Sequence, residues 1–478
     1  MLDKLKEEDN VTLTENAAVA YNTTTDSLVD FFAQGGALRN RDEKEITSLF
    51  DLAYSEDALL ALKCLFYFRD IRGGQGERNT FRIILKHLTI HHKDTMLKNI
   101  KHIPEFGRWD DLYTFVGTKL EKEALDLMKE KFNEDMKSDT PSLLGKWLKS
   151  ENTSSKESIR LAIKTREHFD LTSAEYRRSL SKLRKLVNVV ERKMSANDWD
   201  KIEYSAVPSL AGIRYKKAFS LHDADRYTKF IQDVKEGKTS IKTATLYPYD
   251  IIQRILDRGD TDEALEVMWN NLPDYIEKEE NSIAVIDTSG SMMGLPISVA
   301  VSLGMYLAER NKGAFHNHFI TFSRAPKLQE IIGSNLYNKV HNLSCANWDM
   351  NTNIEAVFNL LLSTALKHKM PQKEMVKKLY IISDMEFDNA DRAIGDEKLF
   401  ETIKREWKAH NYDLPKVVFW NVDARNKQFP TKVTDSGVQL VSGCSPVIFK
   451  NLMKDKFMTP FELMMDVITN ERYNCIEV

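Results

Sequence analysis

At 478 residues the chain has room for two or three domains, and 42% hydrophobic with 29% charged content is ordinary for a soluble globular protein. A net charge of −3 excludes a global basic field, so any nucleic-acid contact has to be a local patch. Cys64, Cys345, Cys444 and Cys475 lie far apart with neither metal spacing nor a disulfide framework, Met1–Glu8 lacks an apolar signal core, and no run approaches about 18 apolar residues, which together point to a cytoplasmic protein with reduced thiols and no membrane span.

Residues 1–40 are polar, carry the loop Asn22-Thr23-Thr24-Thr25, and read as an extended arm with one short helix at Leu28–Phe32. From 41 to 280 the pattern is helical. Glu45–Leu52, Glu56–Arg69, Asn79–Thr89 and Thr95–Ile103 place apolar residues at spacings of three and four, separated by turn signals such as Arg72-Gly73-Gly74-Gln75-Gly76. Stacked helix pairs of this kind suggest an α-solenoid, although no clean sequence period accompanies them. Gly107-Arg108-Trp109-Asp110-Asp111-Leu112 reads as a helix start, its acids favouring the N-terminal dipole. Trp109 and Trp147 are expected in the core.

Tyr176–Lys193 is the most basic run, with Arg177, Arg178, Lys182, Arg184, Lys185, Arg192 and Lys193, and Arg214, Lys216 and Lys217 follow. Such a run is either a solvated helix face or a phosphate-contacting stripe. On the second reading Arg72 and Arg108, the latter beside Trp109, join Arg177, Arg178, Lys182, Arg184, Lys185, Arg214, Lys216 and Lys217 as candidate RNA contacts. Helices at Ile251–Leu256 and Asp262–Asn270 precede an acidic linker at Glu277–Glu280, where a domain boundary is expected.

From 281 strands and helices alternate. Strands are expected at Ile283–Ile286, Phe315–Phe322, Leu379–Ile382, Val417–Trp420 and Val438–Val441, with a short edge strand at Glu330–Gly333. Helices are expected at Ile297–Arg310, Asn353–His368, Lys398–Ala409, 446–454 and 460–469. This alternation argues for a parallel, doubly wound α/β sheet.

The chemistry concentrates in Asn281–Gly294, NSIAVIDTSGSMMG. An apolar strand runs into a polar loop bearing Asp287, Ser289 and Ser291, and loops at the carboxyl ends of such strands are where open sheets bind ligands. A carboxylate and two hydroxyls at alternate positions can converge on one small hard cation, Mg2+ or another divalent ion. Asn351-Thr352-Asn353 opens a helix, and Leu379–Asp384 is a second apolar strand ending in an acid, so Thr352 and Asp384 complete the candidate set. Asp-x-Ser-x-Ser alone arises by chance; the preceding strand and the ordered Thr and Asp partners argue otherwise. Glu386 and Asp388 read as helix caps or as supports behind the ligands. No nucleophile or general base accompanies the motif, His316, His318 and His341 read as structural, and Gly73-Gly74-Gln75-Gly76 lacks the Lys-Ser/Thr pair of a phosphate-binding loop, so an enzyme is not expected.

The ordered set Asp287, Ser289, Ser291, Thr352 and Asp384 resembles the metal-ion-dependent adhesion site of the von Willebrand factor A domain. Helices followed by such a domain resemble the Ro autoantigen, the TROVE-module family. The closer likeness is to a Ro-like family known only as a domain of unknown function. It rests on Arg69–Gly73, Gly107–Leu112, Lys146–Leu148, Val207–Ala211, His222-Asp223, Ser383–Asp388, Phe419–Val422 and Leu440–Gly443. The resemblance implies a helical-repeat (TROVE-like) domain at 41–280, which in Ro proteins forms a ring that binds structured small RNA and single-stranded RNA ends. It also implies an A-like domain at 281–478. The expected function is a non-enzymatic RNA-binding scaffold with a divalent-metal site. The alternative is a protein–protein adhesion module in which a partner carboxylate completes the metal site.

Overall fold

The computed structural model describes residues 9–276, 280–323, 325–345, 352–388, 399–454 and 456–478. Asn351, Lys398, most of the acidic linker at 277–280 and the polar start Met1–Glu8 lie outside the described residues. The chain forms two compact units, one of Met1–Cys64, Gly73–Gln75 and Thr243–Asn470, the other of Leu65–Arg72, Gly76–Lys242 and Glu471–Val478. Among the described residues no helix is long and apolar enough to cross a membrane.

The first unit is built on a six-stranded sheet. Its strands are β3 (Ser282–Asp287), β4 (His318–Phe322), β5 (Leu328–Glu330), β6 (Lys378–Ser383), β7 (Lys416–Asn421) and β8 (Val438–Ser442), after a separate hairpin of β1 (Val11–Leu13) and β2 (Val19–Tyr21). The order is β5-β4-β3-β6-β7-β8. All neighbours pair parallel except β4 and β5, so the sheet is mixed. The edge strand lies at Leu328–Glu330, before the Glu330–Gly333 window that its apolar residues suggested; Ile332 there is exposed. β3 and β6 are buried along their whole length, which is why their sequences are nearly continuous apolar runs.

Neighbouring residues of a strand face opposite sides, and ring contacts show that both sides are covered. Trp420 meets Phe449 of the Val447–Leu452 helix, and Phe449 also stacks on Tyr306 of the Leu295–Arg310 helix. The next residue back, Phe419, meets Phe400 of the Leu399–Ala409 helix, and Phe400 meets Phe358 of the Ile354–His368 helix. The Leu295–Arg310 helix lies close on β3 because it carries Gly304: a Cβ there would sit 2.3 Å from Ile286 Cδ1. The chain leaves β3 toward β4 on one side and returns to β6 on the other, so the crevice between the carboxyl ends of β3 and β6 is a topological switch point.

The arm is more structured than its polarity suggested. β1 and β2 pair antiparallel, and Ser27–Gly35 is a helix capped by Asp26, whose side chain accepts from Val29 N. That helix packs on the β8 edge, where Gly36 N donates to Ser442 Oγ (3.0 Å). Apolar Leu28, Val29, Phe31 and Phe32 drive the docking, and all are buried.

The second unit is helical. Its elements include Asn79–His91, Lys93–Asn99, Glu121–Asp135, Lys156–His168, Ser173–Leu186, Ser209–His222 and Ala224–Lys235. The GRWDDL segment does open a helix, of 3-10 type, at Trp109–Phe115, with Asp110 and Asp111 in its first turn. Trp109 and Trp147, expected in the core, are each only half-buried.

Candidate functional site

In-register pairing of Ile286 with Ile382 brings the ends of β3 and β6 side by side, so Asp287 and the Ser383-Asp384 pair emerge at one rim. Asp287 is fully buried; its Oδ1 accepts from Ser289 N (2.9 Å) and its Oδ2 from Ser383 Oγ (2.5 Å). The first bond closes an Asx turn that folds the loop back over the strand end. It brings Ser289 Oγ to 3.0 Å from Ser291 Oγ. Gly294, at φ +92, then reverses the chain into the Leu295–Arg310 helix, a backbone setting that favours glycine. On β6 the turn after Asp384 places Met385 at φ +68, and Asp384 Oδ1 accepts from Glu386 N (3.2 Å).

Thr352 joins the same loop further along. Its Oγ1 donates to Glu386 O (2.6 Å) and lies 3.1 Å from Asp388 Oδ1, while its main-chain N donates to Asp388 Oδ2 (3.1 Å). Asp388 therefore anchors Thr352. The buried carboxylate of Glu386 accepts from Asn426 Nδ2 (2.9 Å), from Gln428 Nε2 and from Glu15 N (2.8 Å). Among the described residues both acids hold loops in place.

Burial, and then the neighbouring Asp384 carboxylate, push the Asp287 carboxyl up to about 6, against hydrogen bonds from Ser383 and Ser289. Two buried acids side by side create a demand for positive charge. Arg425 meets part of it, with Nη2 at 3.1 Å from Asp384 Oδ2 and 2.8 Å from Glu15 Oε2. Among the described residues no three acidic, histidine or cysteine side chains group as a metal cage. The donors at the ends of β3 and β6 are instead the two carboxylates of Asp287 and Asp384 and the two hydroxyls of Ser289 and Ser291, while Thr352 Oγ1 is engaged with Glu386 O and Asp388. That all-oxygen chemistry fits a small hard cation that keeps several of its waters, as Mg2+ does.

The basic candidates divide. On the Ser173–Leu186 helix Arg177, Arg178, Lys182 and Lys185 are exposed, and 178, 182 and 185 follow the i, i+4, i+7 spacing of one face. Lys182 Nζ donates to Met136 O (2.8 Å). Arg214 and Lys217 are also exposed. Arg184 is engaged inside the fold, donating to Gly145 O (3.0 Å), Leu148 O (2.8 Å) and Ser150 Oγ (2.9 Å). Lys216 is only 3% exposed. Neither offers a free cation to a phosphate, because an amphipathic helix turns part of any basic run inward. Arg72 is exposed and donates to Glu105 O (2.5 Å). Arg108 is half-buried, stacked 4.1 Å over Trp147 and paired with Asp110 (3.0 Å).

Two of the helical motifs behind the resemblance, Arg69–Gly73 and Gly107–Leu112, supply buried ion pairs. Asp111, fully buried, accepts from Arg69 Nε (2.9 Å), Arg82 Nε (2.7 Å) and Arg108 N (2.9 Å). Asp110 pairs with Arg82 (3.2 Å) and Arg108. Asp70 holds Arg472 and accepts from Tyr473 OH (3.2 Å). Gly107 is required there, since a Cβ would lie 2.4 Å from Asp111 Oδ2.

Sequence reasoning missed Ser383, Arg425, Glu15 and Asn16. Ser383 was open to detection as the polar residue ending a buried strand. Asn16 donates to Thr352 Oγ1 from 336 positions away, which no local pattern signals.

Residues 281–474 match the family described as Domain of unknown function (DUF7788). Residues 14–158 and 140–288 match that described as Domain of unknown function (DUF2828). The chain is also 31% identical over 506 residues to the Uncharacterized protein L728 of Acanthamoeba polyphaga mimivirus, across 96% of this chain and 87% of the relative. The extent of these matches, over half the chain for the second family and nearly all of it for the viral relative, means that the chain belongs to the family described as Domain of unknown function (DUF2828).

Proposed function

We propose that this chain is a non-enzymatic, Ro-like RNA-binding scaffold whose C-terminal module is a von Willebrand A-like domain with a divalent-cation site. The observation that carries the cation site is the convergence of Asp287, Ser289, Ser291 and Asp384 at the switch point, with two buried acids in need of positive charge. Asp287, Ser289, Ser291, Thr352 and Asp384 would hold Mg2+ or a similar ion, directly or through water. The RNA reading draws support from the exposed basic face of Arg178, Lys182 and Lys185, with Arg177, Arg214 and Lys217 as further contacts. In this reading residues 41–280 are the TROVE-like helical repeats, 281–478 the A-like module and 1–40 the arm.

The tests are direct. Mn2+ titration followed by electron paramagnetic resonance is expected to show one site in the wild type and none in Asp287→Ala; equal binding in both sinks the cation site. Gel shifts with structured and single-stranded RNA are expected to weaken as salt rises, with a smaller salt slope for the triple Arg178, Lys182, Lys185→Glu variant. Salt-independent retention, or an unchanged slope, refutes the RNA reading.

A second reading, a protein ligand whose carboxylate completes the site, is favoured by the rim itself. Glu15 already brings a carboxylate to Arg425 there, and Met293, in the loop after Ser291, is 76% exposed. Chelator-sensitive capture of a protein partner by wild type and not by Asp287→Ala would support it.

A further inference from the structure

The Thr14–Ala18 turn connects β1 to β2 and lies against the loops of the cation site. Thr14 Oγ1 donates to Phe387 O (2.6 Å), and Glu15 N donates to Glu386 Oε2 (2.8 Å). Asn16 Nδ2 donates to both Thr352 Oγ1 (2.9 Å) and Glu386 O (2.8 Å), and Ala17 bridges Asp388. The Glu15 carboxylate holds Arg425 (2.8 Å) and accepts from Asn426 Nδ2 (3.0 Å).

The polarity of these contacts is informative. Each group brought to the candidate ligands is a donor: the Asn16 amide at Thr352 Oγ1, and the Arg425 guanidinium, steadied by Glu15, at Asp384 Oδ2. A donor hydrogen takes the lone pair that a cation would use, and a guanidinium repels a dication at such range. The Asn16 amide and the Arg425 guanidinium, which Glu15 holds, therefore occupy lone pairs that a cation would have to take. One residue of the turn has a strained backbone. Ala17 sits at φ +66, which costs a non-glycine residue about 1 kcal/mol.

We propose that the Thr14–Ala18 turn is an intramolecular ligand of this rim that competes with the divalent cation, so that cation binding releases the turn and exposes the rim to an acidic or carboxamide-bearing loop of a partner protein. This rests on the cation-site reading above. The loop expected to dock would reproduce the Glu-Asn pair, an acid for Arg425 and an amide or acid for Thr352.

The experiment is Mn2+ titration of the full chain in three forms: wild type, the exposed double variant Glu15→Ala/Asn16→Ala, and Arg425→Gln. Hydrogen exchange at the amides of Ala18 and Tyr21 is measured alongside. Both variants are expected to bind Mn2+ about tenfold more tightly than wild type, and Mn2+ is expected to accelerate exchange at those amides in wild type. Weaker binding in either variant would mean that the turn completes the site, and would overturn competition. Equal binding in all three with unchanged exchange would overturn the proposal and leave the cation site standing. Absence of Mn2+ binding in all three would overturn the site and the proposal together.

Discussion

Asp111 offers the sharpest test of the helical unit. Its carboxylate is fully buried between Arg69, whose side chain is 2% exposed, and Arg82, 31% exposed. Asp111→Ala leaves the Arg69 guanidinium buried without its partner, while Arg82 retains Asp110 (3.2 Å). Breaking one side of a buried pair costs about 3–5 kcal/mol, more than the pair's own net worth, because the stranded charge stays desolvated. Arg82→Met, which removes a half-solvated charge and keeps the stem, should cost about 1 kcal/mol. A loss of about 4 kcal/mol is a large part of the roughly 5–15 kcal/mol that holds a typical fold. Native-state hydrogen exchange suits the measurement, since a chain with two compact units need not unfold in one step. The amides to follow are Ile71, bonded to Phe106 O (3.0 Å), and Gly107, bonded to Ile103 O (2.9 Å). A loss below about 1 kcal/mol in Asp111→Ala would refute the claim that the Arg69–Gly73 and Gly107–Leu112 motifs are structural. So would a salt slope of RNA binding that fell in Arg82→Met as far as in a variant of the exposed face.

The remaining predictions concern the α/β unit. Burial pushes the Asp30 carboxyl up to about 6, although Thr23 and Thr24 hydrogen bonds oppose it. The fold thus holds that proton more tightly than the unfolded chain. Its contribution is complete below about pH 4 and is lost as pH rises through about 6, a change on the order of 3 kcal/mol. Thermal melts from pH 4 to 7 should show a shallower decline in Asp30→Asn; parallel curves would refute it. Gly304→Ala should destabilise by about 1–3 kcal/mol in urea melts, because the added methyl overlaps Ile286. A neutral result would mean that the helix and β3 can separate freely.

Periodicity along the chain determined most of the elements. Strands at β3, β6, β7 and β8 fall within a residue or two of their apolar runs, because a buried strand must be apolar on both faces wherever it lies. Asp287, Ser289 and Ser291 were legible for a similar reason: an Asx turn at a strand end is written in five consecutive residues. Contacts between distant segments were not legible. Polar composition marked residues 1–40 as a loose arm, yet tertiary packing gave them a hairpin, a docked helix and a turn against the Thr352 and Glu386 loops. Arg184 and Lys216 look like Lys185 and Lys217 in a charge count, and only the helix phase against neighbouring elements decides which cation is turned inward. Local sequence sets propensity and hydrophobic phase; the partner of a buried polar group is set by which segment folding brings to it.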